Sequence, residues 1–450
     1  MDPIANEIDV RRDPPQKFWL ILRQLGPGLI ISAAIVGSGE LIATTTLGAT
    51  VGIGALWLIV LSCLIKVVVQ QELARYVISS GETTFQALDR VPGPKWRVSW
   101  VVWAWVVMFC ATTVQLGGIL GGLGQILVLV IPQLSVESWT VVMAGTVVAI
   151  LLIGQGYGRV EIASISMVIT FTSITVACAF LLAWTPYRLE LSDISQGFSF
   201  GLPSGGLGVA FAVFGITGVG ATELIAYPYW CLEKGYARFV GPNTGSLGWE
   251  RRAAGWIRVM QVDTIFAMFV YTTSTVAFYI LGARVLYGEG NIPAGYDMIN
   301  TLSDMYTRTL GPWAFYLFLL GAFFVLYSTF FASTAANSRV LVDFLQLARF
   351  ISHRNESCQL HLRRVVVVTL VLISVFWYSL VGQPVFMVVI GGIAQACLLP
   401  VVGFSALYLR YKHTDRSLCP ALITDILLWT CSSAMLVFAM WYMADLINLI

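Results

Sequence analysis

Two carboxylates embedded in matching apolar stretches are the side chains best placed to do chemistry in this sequence. Glu40 lies in the octapeptide VGSGELIA at Val36–Ala43, and Glu223 lies in VGATELIA at Val219–Ala226. Glycine weakens a helix interior by about 1 kcal/mol relative to alanine. A carboxylate at membrane depth is expensive and marks a functional site by default. Because paired glycine-interrupted segments are typical of the binding site of transporters built from repeats, we interpret Glu40 and Glu223 as the pseudo-symmetric centre of such a site.

The composition places these carboxylates in a membrane protein. Of the 450 residues, 58% are hydrophobic and 11% are charged, and the mean hydropathy is +0.81. An ordinary soluble domain has about 25% charged residues. These values exclude a soluble enzyme or nucleic-acid binder and predict an all-α polytopic protein whose surroundings are the lipid bilayer. No catalytic constellation or cofactor motif is visible, and the cysteines lack ligand spacing, so we expect no cofactor and no disulfide framework.

Eleven apolar runs are long enough to span a bilayer, which requires about 20 mostly apolar residues. These segments, numbered 1 to 11, cover about 27–49, 54–77, 99–131, 137–156, 160–184, 205–231, 256–283, 312–337, 364–382, 385–410 and 420–447. Glycines interrupt segments 1 and 6 at the two octapeptides. The expected organisation is a cytoplasmic tail at 1–26 and a single transmembrane domain at 27–447. That domain divides into repeat one at about 27–184, repeat two at about 205–410 and an extra helix at about 420–447.

The distribution of basic residues predicts the orientation of these segments. With the N-terminus in the cytoplasm, only Arg188, Arg284 and Arg308 fall outside, Lys66 falls within segment 2, and the remaining 22 of the 26 Lys and Arg fall inside. This bias follows the positive-inside rule and places the C-terminus outside the cell, in a bacterial-type plasma membrane. The two octapeptides then cross the bilayer in opposite directions, as an inverted repeat of two five-helix units requires.

Several further motifs resemble the Nramp family of divalent-metal transporters, which have the LeuT-type fold. The resemblance covers most of segments 1 to 11. It is clearest at Leu25–Gly28 (LGPG), at the break of segment 1, and at Ser79–Gly81, Gly220–Thr222, Asp263 and Ser333–Asn337 (STAAN). It implies a five-plus-five inverted repeat with one added helix, broken helices 1 and 6, and alternating access to a mid-membrane site.

The metal motif of that family is altered in this sequence. The metal importers have Asp-Pro-Gly-Asn in helix 1, and the matching residues here are Gly37–Glu40, so that Gly37 replaces the Asp ligand and Glu40 replaces the Asn ligand. The importers' Met-Pro-His in helix 6 corresponds to Leu224–Ala226, which removes the soft sulfur ligand. The resemblance therefore implies a divergent member that lacks the usual Mn/Fe site.

The residues implicated in proton movement in the family are also changed. The acidic pair of helix 3 falls near Thr113 and Gln115, and the helix-6 histidine falls near Cys231. All three histidines of the chain lie in predicted cytoplasmic loops. Transport can therefore be uncoupled, or Glu40 or Glu223 can itself carry a proton, because two nearby carboxylates disfavour double ionisation.

Glu40 and Glu223 can form a hard, oxygen-rich cation site. Two carboxylates and freed backbone carbonyls suit Mg²⁺, Mn²⁺ or Ca²⁺. The further candidate residues around them are Gly37, Ser38, Gly220, Ala221, Thr222 and Gln395. Alternatively, each glutamate caps the resumed half-helix that follows it, a role compatible with binding, and the Ser and Thr hydroxyls bond between helices.

Two other ionisable residues fall within the apolar segments. Lys66 can pair with Glu40 or Glu223 until a cation releases it, or it can attract an anion or zwitterion. The alternative is a structural pair with Glu72, which lies six residues on and faces away at about 100° per residue. We expect Asp263 to be a structural partner of a loop arginine.

The sequence thus predicts a secondary transporter for a hard divalent cation, with Mg²⁺ and Mn²⁺ favoured. Rocking of the broken helices 1 and 6 would alternate access to the site. One alternative is a carrier of a small non-metal solute or anion that uses Lys66 and the half-helix N-termini. The other is a non-transporting sensor that has kept the fold. The coupling ion, the direction of transport and the oligomeric state are left open.

Overall fold

A computed structural model describes residues 11–153, 157–201, 206–351, 356–419 and 422–447. Within these ranges nine helical stretches are long and apolar enough to cross a membrane, and one of them, Gly39–Ser80, joins the second half of segment 1 to segment 2. Each of the eleven predicted segments contains helix. The predicted ends of segments 4, 6 and 11 at 156, 205 and 420 lie outside the described residues. The number of membrane crossings stays a prediction.

The first repeat consists of six helices, because segment 1 is divided in two. They are α1 (Pro27–Ile35), α2 (a π-helical turn at Ser38–Thr44 that continues as Thr45–Val51), α3 (Leu56–Ser80), α4 (Trp100–Val130), α5 (Val136–Ile153) and α6 (Tyr157–Leu181). Short helices lie at Phe18–Leu22, Gly52–Ala55, Thr84–Leu88, Leu182–Trp184 and Leu191–Gly197. Strands β1 (Lys95–Trp96) and β2 (Val98–Ser99) form a small antiparallel hairpin before α4, with Trp96 opposite Val98.

The second repeat is divided in the same way at segment 6. Its helices are α7 (Leu207–Ile216), α8 (Ala221–Lys234), α9 (Leu247–Leu281), the surface helix α10 (Met298–Leu310), α11 (Ala314–Leu347), α12 (Glu356–Val381) and α13 (Pro384–Lys412). Helix α14 (Leu422–Leu446) follows as the extra helix. The connections contain short helices at Tyr236–Val240, Gly282–Leu286, Tyr287–Glu289, Gly295–Asp297 and Arg416–Leu418.

The broken helices lie between the unbroken ones. Helix α1 contacts α6, α8, α9 and α11, while the π-helical turn of α2 contacts α7, α9 and α13. Helix α13 packs along α4 and α7, and α9 packs along α3. The close approach of α7 and α13 depends on Gly215 and Gly392, because a Cβ at Gly215 would overlap the Gly392 carbonyl and one at Gly392 would lie 2.6 Å from the Ala212 carbonyl. Small residues permit this backbone contact between apolar helices.

Candidate functional site at the two helix breaks

The break between α1 and α2 is held open by a contact with α11. The backbone leaves the helical conformation at Val36 (ψ 77°) and Gly37, and α2 begins at the next residue. A Cβ at Gly37 would overlap the hydroxyl of Thr329. That hydroxyl donates a hydrogen bond of 3.0 Å to the carbonyl of Ala33, which lies near the end of α1. Gly37 thus lets α11 approach the break, and Thr329 supplies a partner for a carbonyl near the end of the half-helix.

Glu40 is fully buried in the first turn of α2 and is held from two sides. The hydroxyl of Thr275, on α9, donates to its Oε1 at 2.9 Å. The amide of Gly37 donates to its Oε2 at 3.4 Å, so the side chain folds back over the start of its own helix. This geometry matches the capping alternative for Glu40. It also fixes the carboxylate beside the break, where it has lone pairs to spare for a cation.

The break between α7 and α8 is built differently. Thr217 is extended, and Gly218 has φ +62°, in the left-handed region that glycine adopts without strain. Glu223 lies partly buried in the first turn of α8. Its Oε2 lies over Gly220, since a Cβ there would be 2.6 Å from this oxygen and 2.5 Å from Oε1 of Gln395. Gly220, Glu223 and Gln395 therefore meet at one point.

Gln395 links this break to α4. Its Oε1 accepts a hydrogen bond of 3.2 Å from the amide of Thr222, and its Nε2 donates 2.9 Å to Oε1 of Gln115. The amide of Gln395 is therefore oriented by a partner at each end. The hydroxyl of Thr222 is buried and has no hydrogen-bond partner in the described part of the chain, so it is available to a ligand.

The two breaks face each other. A Cβ at Gly39 would lie 3.3 Å from the carbonyl of Ile216 at the end of α7. Glu40 and Glu223 lie in the first turns after these two breaks, and Lys66 bonds to the carbonyl end of α7. Of the predicted site residues, the structure brings Glu40, Gly37, Gly220, Glu223, Thr222 and Gln395 to the breaks with buried Ala221 beside them. The side chain of Ser38 lies outside the described residues.

The contacts of Lys66 differ from both of the pairings that the sequence suggested. Its Nζ donates to the carbonyls of Phe214 and Thr217, the latter at 2.7 Å. Among the described side chains it makes no salt bridge with Glu40 or Glu223. Glu72 instead pairs with Arg75 at 3.2 Å and Arg410 at 3.1 Å, so the proposed pair with Glu72 is wrong. The physical reason is that α7 ends beside Lys66 and presents carbonyls with no partner in the helix.

Asp263 is also bound to backbone amides, and no arginine in the described ranges pairs with it. Its Oδ1 accepts from the amide of Gly26 at 3.0 Å, and its Oδ2 accepts from the amide of Gly28 at 2.6 Å. The hydroxyl of Tyr227, on α8, donates to the same Oδ2 at 2.9 Å. The predicted arginine partner is therefore wrong, because the amides at the start of α1 supply the positive charge.

Two side chains that the sequence reasoning missed are Thr275 and Thr329. Both are hydroxyls in otherwise apolar helices, and bonding between helices is their common role. A signal was present for Thr275, because it follows Tyr271 by four residues and so continues a polar stripe on one helix face. Nothing in the sequence around Thr329 distinguishes it from the neighbouring hydroxyl of Ser328.

The inverted pair of broken helices with carboxylates at the breaks defines an integral membrane transporter of the LeuT-type fold. A mutant of the Eremococcus coleocola manganese transporter superposes with a TM-score of 0.67 at 14% identity, covering 97% of this chain and 89% of that one. A nucleobase–cation symport transporter bound to bromovinylhydantoin gives a TM-score of 0.56 at 13% identity, covering 94% and 92%. At these identities the likeness concerns the fold alone.

The sequence comparisons identify the family. The family model for natural resistance-associated macrophage protein-like (Nramp) proteins matches residues 28–445. The divalent metal cation transporter MntH of Deinococcus radiodurans is 26% identical over 326 residues, or 70% of each chain. An uncharacterised Pasteurella multocida protein is 24% identical over 352 residues, or 72% of this chain and 70% of that one. The chain belongs to the Nramp family, whose members are transporters and not enzymes.

Proposed function

We propose that this protein is a secondary transporter that carries a hard divalent cation, Mg²⁺ or Mn²⁺, by alternating access through the two helix breaks. The observation that carries the proposal is the position of Glu40 and Glu223, one in the first turn after each of two helix breaks that face each other. A divalent cation bound between two ionised carboxylates would have its charge balanced by them. The names of two similar proteins agree with this cargo class, one being a divalent metal cation transporter and the other a manganese transporter.

The donor set favours a hard and partly hydrated ion. The described residues contain no group of three or more His, Cys, Asp or Glu side chains that could share a metal. The protein would therefore offer two carboxylates together with neutral oxygens such as the hydroxyl of Thr222. Mg²⁺ commonly keeps several waters and takes only one or two carboxylates from a protein. Leu224 takes the place of a sulfur ligand, which removes the usual preference for softer metals.

The residues that replace the family's proton route make neutral contacts. The hydroxyl of Thr113 accepts from Nε1 of Trp377 at 3.1 Å, and Gln115 bonds to Gln395. Neither side chain exchanges a proton near neutral pH. We therefore propose that no proton moves along α4, and that any coupling proton is carried by Glu40 or Glu223 themselves.

The second candidate is a carrier of a small anion or zwitterion, and Lys66 is the observation that favours it. Two contacts weaken this reading. The ammonium of Lys66 is directed to the carbonyls at the end of α7, and one amide at each half-helix N-terminus already has a side-chain acceptor. The amide of Gly37 donates to Glu40, and the amide of Thr222 donates to Gln395.

The proposed placement in the membrane follows the loop charges. The N-terminus and the tail at 1–26 would lie in the cytoplasm of a bacterial-type cell, and the C-terminus would lie outside. Residues 27–447 would form the one transmembrane domain. Fusion of a periplasm-inactive reporter to each terminus tests this: activity at the N-terminus only is expected, and activity at the C-terminus contradicts it.

Isothermal titration of the purified protein with Mg²⁺, Mn²⁺, Ca²⁺ and Zn²⁺ tests the proposed cargo. The comparison is between the wild type, a Glu40→Gln/Glu223→Gln double variant and a matched Glu137→Gln control, since Glu137 is exposed at the start of α5. We expect saturable Mg²⁺ or Mn²⁺ binding that the double variant loses and the control keeps. A folded wild type that binds none of the four metals would reject the proposal and favour the anion carrier.

A further inference from the structure

The C-terminal end of α7 gathers several oxygen atoms around one buried cation. The carbonyls of Phe214 and Thr217 both accept from Nζ of Lys66, whose side chain is 0% exposed. The ammonium also lies 5.0 Å from the centroid of the Phe214 ring, at a distance where the ring face attracts a cation. A helix end carries a partial negative charge on the carbonyls that lack a partner within the helix.

A hydroxyl from α3 completes this group. The Oγ of Ser62 contacts the carbonyls of Phe214 and Thr217 at 3.2 and 3.4 Å, and the hydroxyl of Thr217 at 2.9 Å. Ser62 is four residues before Lys66, so both side chains leave the same face of α3. Buried carbonyl and hydroxyl oxygens at the end of a broken half-helix are the donors that bind monovalent cations in transporters.

We propose that the carbonyl end of α7 is a monovalent-cation site that the chain fills with its own lysine. Lys66 does permanently what a bound alkali or ammonium ion would do: it neutralises the end of the half-helix and holds the break in the shape that positions Glu223. Occupancy by a tethered charge means that this position needs no ion from solution. Shortening the side chain leaves an empty site for a small free cation. The inference is independent of the cargo.

The test is chemical rescue of a Lys66→Ala variant, with thermal unfolding measured in detergent and in EDTA so that divalent cargo is absent. Methylammonium, Na⁺ and K⁺ are titrated as chlorides, with tetramethylammonium chloride as the control for ionic strength and size. We expect a lowered Tm that at least one small cation restores saturably, by a few degrees, while tetramethylammonium does not. The wild type and Lys95→Ala, which alters a partly exposed lysine paired with Asp89, should show no such response.

Lys66→Met separates occupancy by charge from simple filling of space. Methionine keeps the unbranched stem but cannot donate to either carbonyl, so this variant should have a lowered Tm that no added cation restores. A Lys66→Met protein as stable as the wild type would overturn the proposal. This result would count even if Lys66→Ala did not fold. A Lys66→Ala protein that responds equally to all the salts would overturn it as well. Neither result bears on the metal titration, which depends on Glu40 and Glu223.

Discussion

The two helix breaks share six of eight residues and yet hold their carboxylates differently. Glu40 is fully buried and accepts hydrogen bonds from Thr275 and from its own backbone at Gly37. Glu223 is partly buried and, among the described residues, has no side-chain donor. The C-terminal ends of the two half-helices differ too. The neutral hydroxyl of Thr329 donates to a carbonyl near the end of α1, whereas the ammonium of Lys66 donates to carbonyls at the end of α7.

This difference originates in the neighbouring helices. The partners of the first break come from α9 and α11, and those of the second come from α3 and α13. An internal repeat can therefore duplicate the backbone geometry of a site while the side chains of the neighbouring helices decide how firmly each half is held. We infer that the first break is the fixed half of the site and that Glu223 is the half that adjusts to the cargo.

The largest expected effect comes from adding one methyl group at equivalent positions of the two breaks. In Gly37→Ala the new Cβ would overlap Thr329 on a packed helix, so we expect little folded protein or a large fall in Tm. In Gly220→Ala the Cβ meets the ends of Gln395 and Glu223, at 2.5 and 2.6 Å, which can shift, and it lies 3.0 Å from the carbonyl of Gly215, a tight contact that does not overlap as the one at Gly37 does. This variant should fold and lose cargo affinity. Equal Tm values for the two variants, measured by thermal unfolding, would contradict the comparison.

Replacing each glutamate by aspartate, which shortens the side chain by one methylene group, tests how firmly its carboxylate is held. Glu40→Asp withdraws the carboxylate from Thr275 and from the Gly37 amide, so we expect a loss of cargo affinity on the order of 100-fold, at the upper end of the 10–100-fold effects seen around metal sites. Glu223→Asp should lose less, since no side-chain partner fixes it. Titration of the favoured divalent cation gives both affinities. A greater loss in Glu223→Asp would reverse the assignment of the fixed half.

The breaks and the transporter fold could be predicted from the sequence because their signals are local or repeated. Hydropathy marks the segments, glycines mark the breaks, and the matching octapeptides with loop charges indicate the inverted repeat. The six-residue spacing also argued correctly that Lys66 does not face Glu72. Each of these inferences uses only residues near one another in the chain or an internal comparison.

The partners of the ionisable residues could not be predicted in the same way. Lys66 and Asp263 were expected to meet opposite charges on side chains, but both bond to the backbone at the end of a half-helix. Such partners are invisible in a list of residue types, because every residue has an amide and a carbonyl and only the end of a helix leaves them without a partner. Thr275 and Thr329 depend likewise on how whole helices dock, 235 and 296 residues from their partners.

A smaller effect is expected from removing the donor to Glu40. Thr275→Val keeps the shape of the side chain and leaves Oε1 of Glu40 without its 2.9 Å hydrogen bond. Partners that orient a metal ligand typically contribute 10–100-fold to affinity, and we expect the lower end because Gly37 still holds the other oxygen. Thr275→Ser, which keeps the hydroxyl, should bind nearly as the wild type does. An unchanged affinity in Thr275→Val would show that the hydroxyl does not position the carboxylate.

The smallest effect should come from the neutral cap of α1. Thr329→Val preserves the packing against Gly37 and removes the hydroxyl that donates to the carbonyl of Ala33. Loss of one neutral hydrogen bond costs about 1 kcal/mol, so Tm should fall slightly, and no added salt should restore it, because a neutral hydroxyl leaves no cation site behind. Thermal unfolding beside Lys66→Met gives the comparison directly. If Thr329→Val lost as much stability as Lys66→Met, the two half-helix ends would be equivalent, and the charge on Lys66 would have no special role at the second break.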